Sequence, residues 1–134
     1  MKKILIIDDN KDILKALEAG ICFYLKDCTV LTALNGRLGK EIMQQQSVDL
    51  VVADLDMPVM DGYQFVELAR KEHADVPVCV MTGHCSSQLQ DRLLSLGVRR
   101  IIGKPFLIDQ LSSLIAGELG VEWQRGDQAA PTVQ

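Results

Sequence analysis

The sequence is poor in the residues that build several common kinds of site. It has only two histidines, and its four cysteines form no Cys-x-x-Cys pair, so we expect free thiols and no zinc site. No apolar stretch approaches the roughly 20 residues of a membrane span, and the apolar run after Met1-Lys2-Lys3 is too short for a secretory signal. The net charge of −4 does not favour nucleic acid as a partner. We therefore expect a cytoplasmic protein without membrane or nucleic-acid contacts.

The composition is that of an ordinary globular domain. The chain has 134 residues, of which 48% are hydrophobic and 24% charged, which is enough to bury one conventional core. The apolar rhythm stops near residue 120, and the last residues include Gly126 and Pro131. The sequence predicts one domain over residues 1–119, followed by a tail or linker over residues 120–134.

Short apolar runs alternate with stretches of helical periodicity. Five runs are predicted to be strands: residues 4–7, 28–33, 50–53, 78–81 and 101–102. The first is apolar without alternation, which is typical of a strand covered on both faces. After each run, apolar residues recur at helical spacing, as in the series Ile13, Leu14, Leu17, Ile21 and the series Leu107, Leu111, Leu114, Ile115. Five strand–helix repeats predict an α/β fold with a parallel sheet between two layers of helices.

Local signals mark where these elements begin and end. Asn10 precedes the first periodic stretch, and Ser86 or Ser87 precedes the fourth, in the position of a helix cap. Asn35-Gly36 predicts a turn before the second helix, and Gly97 is expected to stop the fourth helix in the left-handed conformation.

Polar residues end four of the predicted strands. Asp8 and Asp9 end the first, Asp54 the third, Thr82 the fourth and Lys104 the fifth. Parallel strands place these ends at one edge of the sheet, where ligands of such folds collect. Three carboxylates there would repel one another, so the sequence predicts a hard divalent cation with oxygen ligands, Mg²⁺ above all.

The same residues predict phosphoryl chemistry. A lysine suits a phosphoryl oxygen, a threonine supplies a hydroxyl donor, and an aspartate can itself be the nucleophile that forms an aspartyl-phosphate. Charge neutralisation and positioning supply most of the catalysis in such sites. Ordinary surface carboxylates at loop ends are the simpler interpretation, but they do not account for all five residues together.

Four motifs in order resemble the receiver domain of two-component response regulators. They lie between about Lys2 and Leu119, each after a predicted strand, and read Ile6-Ile7-Asp8-Asp9-Asn10, Asp54-Leu55-Asp56-Met57-Pro58-Val59-Met60-Asp61-Gly62, Met81-Thr82-Gly83-His84 and Gly103-Lys104-Pro105-Phe106. The resemblance implies a doubly wound (βα)5 fold with strand order 2-1-3-4-5. It also implies a signalling switch rather than an enzyme with an external substrate.

The resemblance further implies a role for each matching residue. Asp54 is expected to accept a phosphoryl group from a phosphohistidine on a histidine kinase or phosphotransfer protein. Asp9 and Asp54 would bind Mg²⁺ directly, Asp8 would help through water, and the backbone carbonyl of Asp56 would supply another oxygen. Thr82 and Lys104 would bind phosphoryl oxygens, with Thr82 also moving in the switch. The Lys104-Pro105 bond is expected to be cis, which only a bond before proline accepts at small cost.

Some positions depart from the family pattern or allow two interpretations. Receivers usually carry an aromatic residue three positions before the lysine, where this chain has Ile101. Ile101 is either a core residue or part of an altered output switch. Arg99-Arg100 is either a solvated basic edge or an electrostatic contact with an acidic partner surface. The pair would lie on the face formed by the fourth helix, fifth strand and fifth helix, through which receivers often dimerise or dock. Asp56 and His84 would flank the water that hydrolyses the aspartyl-phosphate, although His84 also reads as an exposed loop residue.

Two other functions compete with the receiver hypothesis. Asp54-Leu55-Asp56 resembles the Asp-x-Asp pair of haloacid-dehalogenase-like phosphatases, but that family places the pair after its first strand and adds a cap. An unphosphorylated interaction platform is the second alternative, and such a protein should lack an acid, the threonine or the lysine. None of these residues is missing here.

Overall fold

Five strands alternate with five helices in the part of the chain that the structure describes. The structure is a computed structural model, and it describes residues 1–57 and 61–123, without the side chain of Asp61. The elements are β1 (Lys2–Ile7), α1 (Lys11–Tyr24), β2 (Cys28–Ala33), α2 (Gly36–Gln45), β3 (Leu50–Asp54), α3 (Asp61–Glu72), β4 (Val78–Thr82), α4 (Ser87–Ser95), β5 (Arg100–Gly103) and α5 (Ile108–Leu119). No helix in these ranges is both long enough and apolar enough to cross a membrane.

The strands form one parallel sheet in the order β2-β1-β3-β4-β5, which confirms the predicted fold. Ile7 pairs with Ala53, Asp54 with Met81, and Thr82 with Gly103. This register brings the carboxyl ends of β1, β3, β4 and β5 to one edge. Parallel pairing with crossover helices is what the alternating pattern predicted.

The sheet has an apolar cluster on each face. One cluster packs α1 and α5 against β1, β3 and β4, and includes Ile6, Ile21 and Ile115. The other packs the α2, α3 and α4 side and includes Leu5, Phe65 and Leu93. Every residue of β3 and β4 is buried, which explains why these strands read as continuous apolar runs rather than alternating ones.

Local hydrogen bonds confirm the predicted helix boundaries. The side chain of Asn10 accepts the backbone N–H groups of residues 12 and 13 at 2.9 and 3.1 Å. Asn35 caps α2 by accepting the N–H of Leu38 at 2.8 Å, and Ser86 caps α4 by accepting the N–H of Leu89 at 3.1 Å. Gly97 has φ of 94° and follows α4, as expected for a glycine at a helix end.

Two residues of the apolar series at helical spacing are largely exposed. Ile13 is 42% exposed because α1 turns Leu14, Leu17 and Ile21 toward the sheet instead. Leu107 is also 42% exposed, because it precedes α5 as its cap residue rather than lying within the helix. Its N–H donates to the Gln110 side chain at 2.9 Å.

Packing continues beyond residue 119 into the predicted tail. Gly120 adopts a left-handed conformation with φ of 68°, and Val121 donates its N–H to Ala116 at 3.1 Å. Val121 and Trp123 then pack against the cluster that contains α1 and α5, and the Trp123 ring lies 5.7 Å from the Tyr24 ring. Pro58, and Gly126 and Pro131 of the predicted tail, lie outside the described residues.

Candidate functional site

The sheet edge collects the polar residues that the sequence placed at strand ends. Asp8 and Asp9 follow β1, Asp54 is the last residue of β3, and Thr82 is the last residue of β4. Asp8, Asp54 and Thr82 are 1%, 3% and 1% exposed. Buried polar groups of this kind require partners, so their contacts define what the edge can bind.

Asp8, Asp9 and Asp54 form an acidic cluster. One carboxylate oxygen from each lies within 4.8 Å of the others. Asp8 accepts the N–H of Asn10 through Oδ1 at 2.9 Å, but its other oxygen, Oδ2, is buried without a hydrogen-bond partner among the described residues. Burial, and next the charge of Asp54, raise the pKa of Asp8 to about 6, against the lowering effect of the Asn10 hydrogen bond.

This cluster fits a hard divalent cation. The donors are all carboxylate oxygens, which Mg²⁺ prefers. The unpartnered oxygen of Asp8 is a buried acceptor that a cation could contact, and burial, followed by the charge of Asp54, raises the pKa of Asp8 because it disfavours the ionised form. The carboxylate of Asp56 is not part of this group; only its backbone carbonyl remains in the predicted ligand set.

Lys104 connects the acidic cluster to the neighbouring strand ends. Its ammonium group donates to Asp54 Oδ1 at 2.8 Å and lies 3.4 Å from Asp56 Oδ2. Partial burial opposes the charged form, but the two carboxylates outweigh it and raise the pKa of Lys104. Asp54 Oδ1 also accepts the Asp56 N–H at 2.8 Å. The Lys104-Pro105 bond is cis.

The side chain of Asp56 binds groups at the end of β4. Its Oδ1 accepts the Thr82 hydroxyl at 3.0 Å, and its Oδ2 accepts the N–H of Gly83 at 2.7 Å. Burial opposes ionisation, but these hydrogen bonds and the Lys104 charge hold the pKa of Asp56 below its ordinary value. Sequence reasoning did not foresee these contacts, since they join residues that are 26 and 27 positions apart.

Two of the predicted output residues, Arg100 and Ile101, lie on β5. Ile101 is half-buried and packs on the cluster that contains α3, which agrees with the core interpretation. Arg99 and Arg100 pair with the two carboxylate oxygens of Glu118 at 3.2 and 3.0 Å. Glu118, whose side chain is only 5% exposed, was not identified from the sequence. His84 is an exposed loop residue whose N–H donates to the Thr82 hydroxyl at 3.1 Å.

Comparison with known families identifies the class of protein. The model of the response regulator receiver domain matches residues 4–116. The chain belongs to this family, and its fold is the one that the resemblance predicted.

Curated relatives share the domain but are longer proteins. The transcriptional regulatory protein PrrA of Mycobacterium tuberculosis is 34% identical over 111 residues, which cover 81% of this chain and 46% of PrrA. A probable cyclic di-GMP phosphodiesterase of Vibrio cholerae is 30% identical over 114 residues, which cover 84% of this chain and 25% of that protein. The chain thus spans about half the length of PrrA, and less of the phosphodiesterase.

Solved structures agree with this assignment. The CheY-like receiver domain protein from Methanospirillum hungatei superposes with a TM-score of 0.82 at 26% identity, over 90% of this chain and 94% of that one. The likeness extends over nine-tenths of this chain and supports the receiver fold.

Proposed function

We propose that this chain is the phosphoacceptor receiver of a two-component system. In this proposal Asp54 takes a phosphoryl group from a phosphohistidine of a histidine kinase or phosphotransfer protein. The observation that carries the proposal is the position of the Asp54 carboxylate, buried at the end of β3, within 4.8 Å of the acids of β1 and 2.8 Å from the ammonium of Lys104.

The transfer follows from the groups around Asp54. A carboxylate oxygen of Asp54 forms the bond to phosphorus while the phosphorus–nitrogen bond breaks, and the imidazole nitrogen keeps the electron pair and takes a proton. Lys104 balances charge on the phosphoryl oxygens, and the hydroxyl of Thr82 donates to one of them.

A divalent cation completes this set. Asp8, Asp9, Asp54 and the backbone carbonyl of Asp56 would hold Mg²⁺, which when bound neutralises the charge that the acids and the phosphoryl group bring together. The unpartnered buried oxygen of Asp8 supports this assignment. Without a cation, burial and then the charge of Asp54 raise the pKa of Asp8, because both disfavour its ionised form.

The phosphorylated protein is proposed to be a switch rather than an enzyme with an external substrate. It would hydrolyse its own aspartyl-phosphate slowly, with the side chains of Asp56 and His84 flanking the attacking water. Phosphorylation would shift an equilibrium between two conformations through Thr82, Ile101 and Arg100.

An output domain or partner protein in the cytoplasm would read the conformation of this receiver. The names of PrrA and of the Vibrio cholerae phosphodiesterase support this, because they give different activities to longer proteins. A second copy of this chain, bound through α4, β5 and α5 as a homodimer, would be one such partner. Leu94 on α4 is 50% exposed and Arg100 has a side chain 62% exposed, which leaves surface on that face.

The first test is the intact mass of the protein after incubation with acetyl phosphate, with and without Mg²⁺. We expect a Mg²⁺-dependent gain of one phosphoryl group that is labile to base and maps to Asp54. Asp54→Asn should keep the fold and abolish the gain, while Asp75→Asn, an exposed residue before β4 at the opposite sheet edge, should leave it intact. Uptake at Asp56 in the Asp54→Asn protein would show that the acceptor is wrongly assigned. No uptake by the wild type would favour the interaction-platform alternative.

A further inference from the structure

We propose that the Asp56 carboxylate is an internal substitute for the phosphoryl group: it binds the Thr82 hydroxyl and the Gly83 N–H in the unphosphorylated protein and must release them before they bind a phosphoryl group on Asp54. The proposal rests on the proposed function of Asp54 and adds a regulatory device to it. Asp56 is a positioning residue in this account, since it acts through Thr82 and Gly83.

The Asp56 carboxylate contacts the same kinds of donor that bind two phosphoryl oxygens. Oδ1 accepts a hydroxyl at 3.0 Å, Oδ2 accepts a backbone N–H at 2.7 Å, and the ammonium of Lys104 lies 3.4 Å from Oδ2. A hydroxyl, an amide and an ammonium converging on one anion form a phosphate-like site. Asp56 occupies that site with a carboxylate from the chain itself.

The Thr82 hydroxyl has a single proton, and the structure commits it to Asp56. The hydroxyl oxygen already accepts the N–H of His84 at 3.1 Å, so its proton is the group that Asp56 Oδ1 binds. A threonine hydroxyl donates only once. A phosphoryl oxygen on Asp54 therefore competes with Asp56 for this proton and cannot share it.

Gly83 allows the carboxylate to approach closely. A Cβ atom at this position would lie 3.3 Å from Asp56 Oδ2, a crowded contact that glycine avoids. Because the Asp56 contacts hold Thr82 and Gly83, and Thr82 in turn holds His84, they also fix the start of the loop that leads to α4. Release of Asp56 would free this loop together with the donors.

The Asp56 contacts should lower the affinity of the site for a phosphoryl group. If the donors are available only in a minor open population, the affinity for a phosphoryl group falls by that fraction. The Asp56 contacts include hydrogen bonds to an ionised acceptor, which are stronger than neutral ones. Removal of the carboxylate charge should therefore favour the open arrangement before any phosphoryl group is present.

The test measures the affinity for beryllofluoride, a phosphoryl mimic, in the presence of Mg²⁺, with the Gly83 amide NMR resonance as a second readout. We expect Asp56→Asn to bind beryllofluoride about tenfold more tightly than the wild type. The Gly83 resonance of the free variant should move toward its position in the beryllofluoride-bound wild type. Asp75→Asn, which removes the same charge from an exposed position, should change neither.

A double-mutant cycle separates release of the contacts from removal of charge. In a Thr82→Ala background, the gain from Asp56→Asn should fall to about twofold, because contacts that share a partner are coupled. An equal gain in both backgrounds would mean that Asp56 acts only by charge, and would overturn the proposal. So would wild-type binding that Asp56→Asn leaves unchanged or weakens. Absence of binding by the wild type would instead reject the proposed function, and the inference with it.

Discussion

Asp8 carries an electrostatic penalty that depends on pH. Burial raises its pKa from 3.8 to about 6, so the folded protein binds the Asp8 proton more tightly than the unfolded chain does. In the absence of a cation, this residue should make the free energy of unfolding fall as pH rises from about 4 to 6, and then level off.

Asp8→Asn should remove this penalty. At pH 7 without divalent cations, the variant should be more stable than the wild type by about 3 kcal/mol, because one pKa unit corresponds to about 1.4 kcal/mol, and the difference should vanish near pH 3. Thermal unfolding of both proteins across this pH range in a chelator measures the effect. Asp75→Asn, at an exposed position, controls for the loss of one negative charge. A variant that is less stable than the wild type at pH 7 would contradict the account of the buried carboxylate.

Lys104 should affect phosphorylation more than cation binding. Its ammonium contacts the carboxylates of Asp54 and Asp56, but not those of Asp8 and Asp9, which follow β1. Lys104→Ala should keep Mg²⁺ binding and reduce the rate of phosphorylation by acetyl phosphate about a hundredfold, because a charge aimed at the reacting group is lost. Cation titration and the time course of intact mass measure the two effects separately. Loss of Mg²⁺ binding with an unchanged rate would reverse the roles assigned here.

At the scale of the elements, α1 and α5 pack closely because α1 has a glycine at the crossing. A Cβ atom on Gly20 would overlap the Ile108 side chain, whereas one on Gly117 of α5 would meet nothing within 4 Å. Glycine costs about 1 kcal/mol relative to alanine in a helix, so the two sites separate packing from helix propensity.

Gly20→Ala and Gly117→Ala should therefore have opposite effects. We expect Gly117→Ala to stabilise the protein by roughly 0.5–1 kcal/mol. Gly20→Ala should destabilise it by about 1–2 kcal/mol, since overpacking outweighs the propensity gain. Urea unfolding of both variants provides the comparison. Equal stabilisation by the two substitutions would show that α1 and α5 accommodate the added methyl group without a loss of stability.

The sequence predicted the elements well because β1, β3 and β4 are largely buried apolar runs, and because α1, α2 and α4 begin after a recognisable cap residue. Helical spacing alone does not say which residues of a series are buried: Ile13 fits the spacing and lies in α1, but it is exposed because the fold turns Leu14, Leu17 and Ile21 inward. β3 and β4 also extend one residue further than predicted, since Asp54 and Thr82 continue the backbone ladder despite their polar side chains.

The sequence also predicted that the strand-end residues converge, because a parallel sheet forces them to one edge. It did not predict the partners of Asp56 or the pairing of Glu118 with two arginines. These contacts join distant positions and depend on side-chain directions, such as the 18 positions between Arg100 and Glu118. Patterns of apolar residues carry no information about them.

At the scale of the whole molecule, the segment after α5 contributes to stability. Val121 and Trp123 pack against the cluster that joins α1 and α5. A chain of residues 1–119 should be less stable than one of residues 1–123 by about 1–2 kcal/mol, the amount expected from this partial apolar burial. Thermal unfolding of the two chains tests this. Equal stability would support residue 119 as the domain boundary.

The contact between Trp123 and Tyr24 also determines what intrinsic fluorescence can report. Trp123 is the only tryptophan in the chain, and its ring lies 5.7 Å from that of Tyr24, on the α1–α5 side of the sheet. Tyr24 is therefore close enough to transfer excitation energy to it. The emission spectrum therefore reports whether Trp123 is packed against α1. A change in emission on phosphorylation would report a change in the contact between Trp123 and Tyr24, rather than quenching by the phosphoryl group itself.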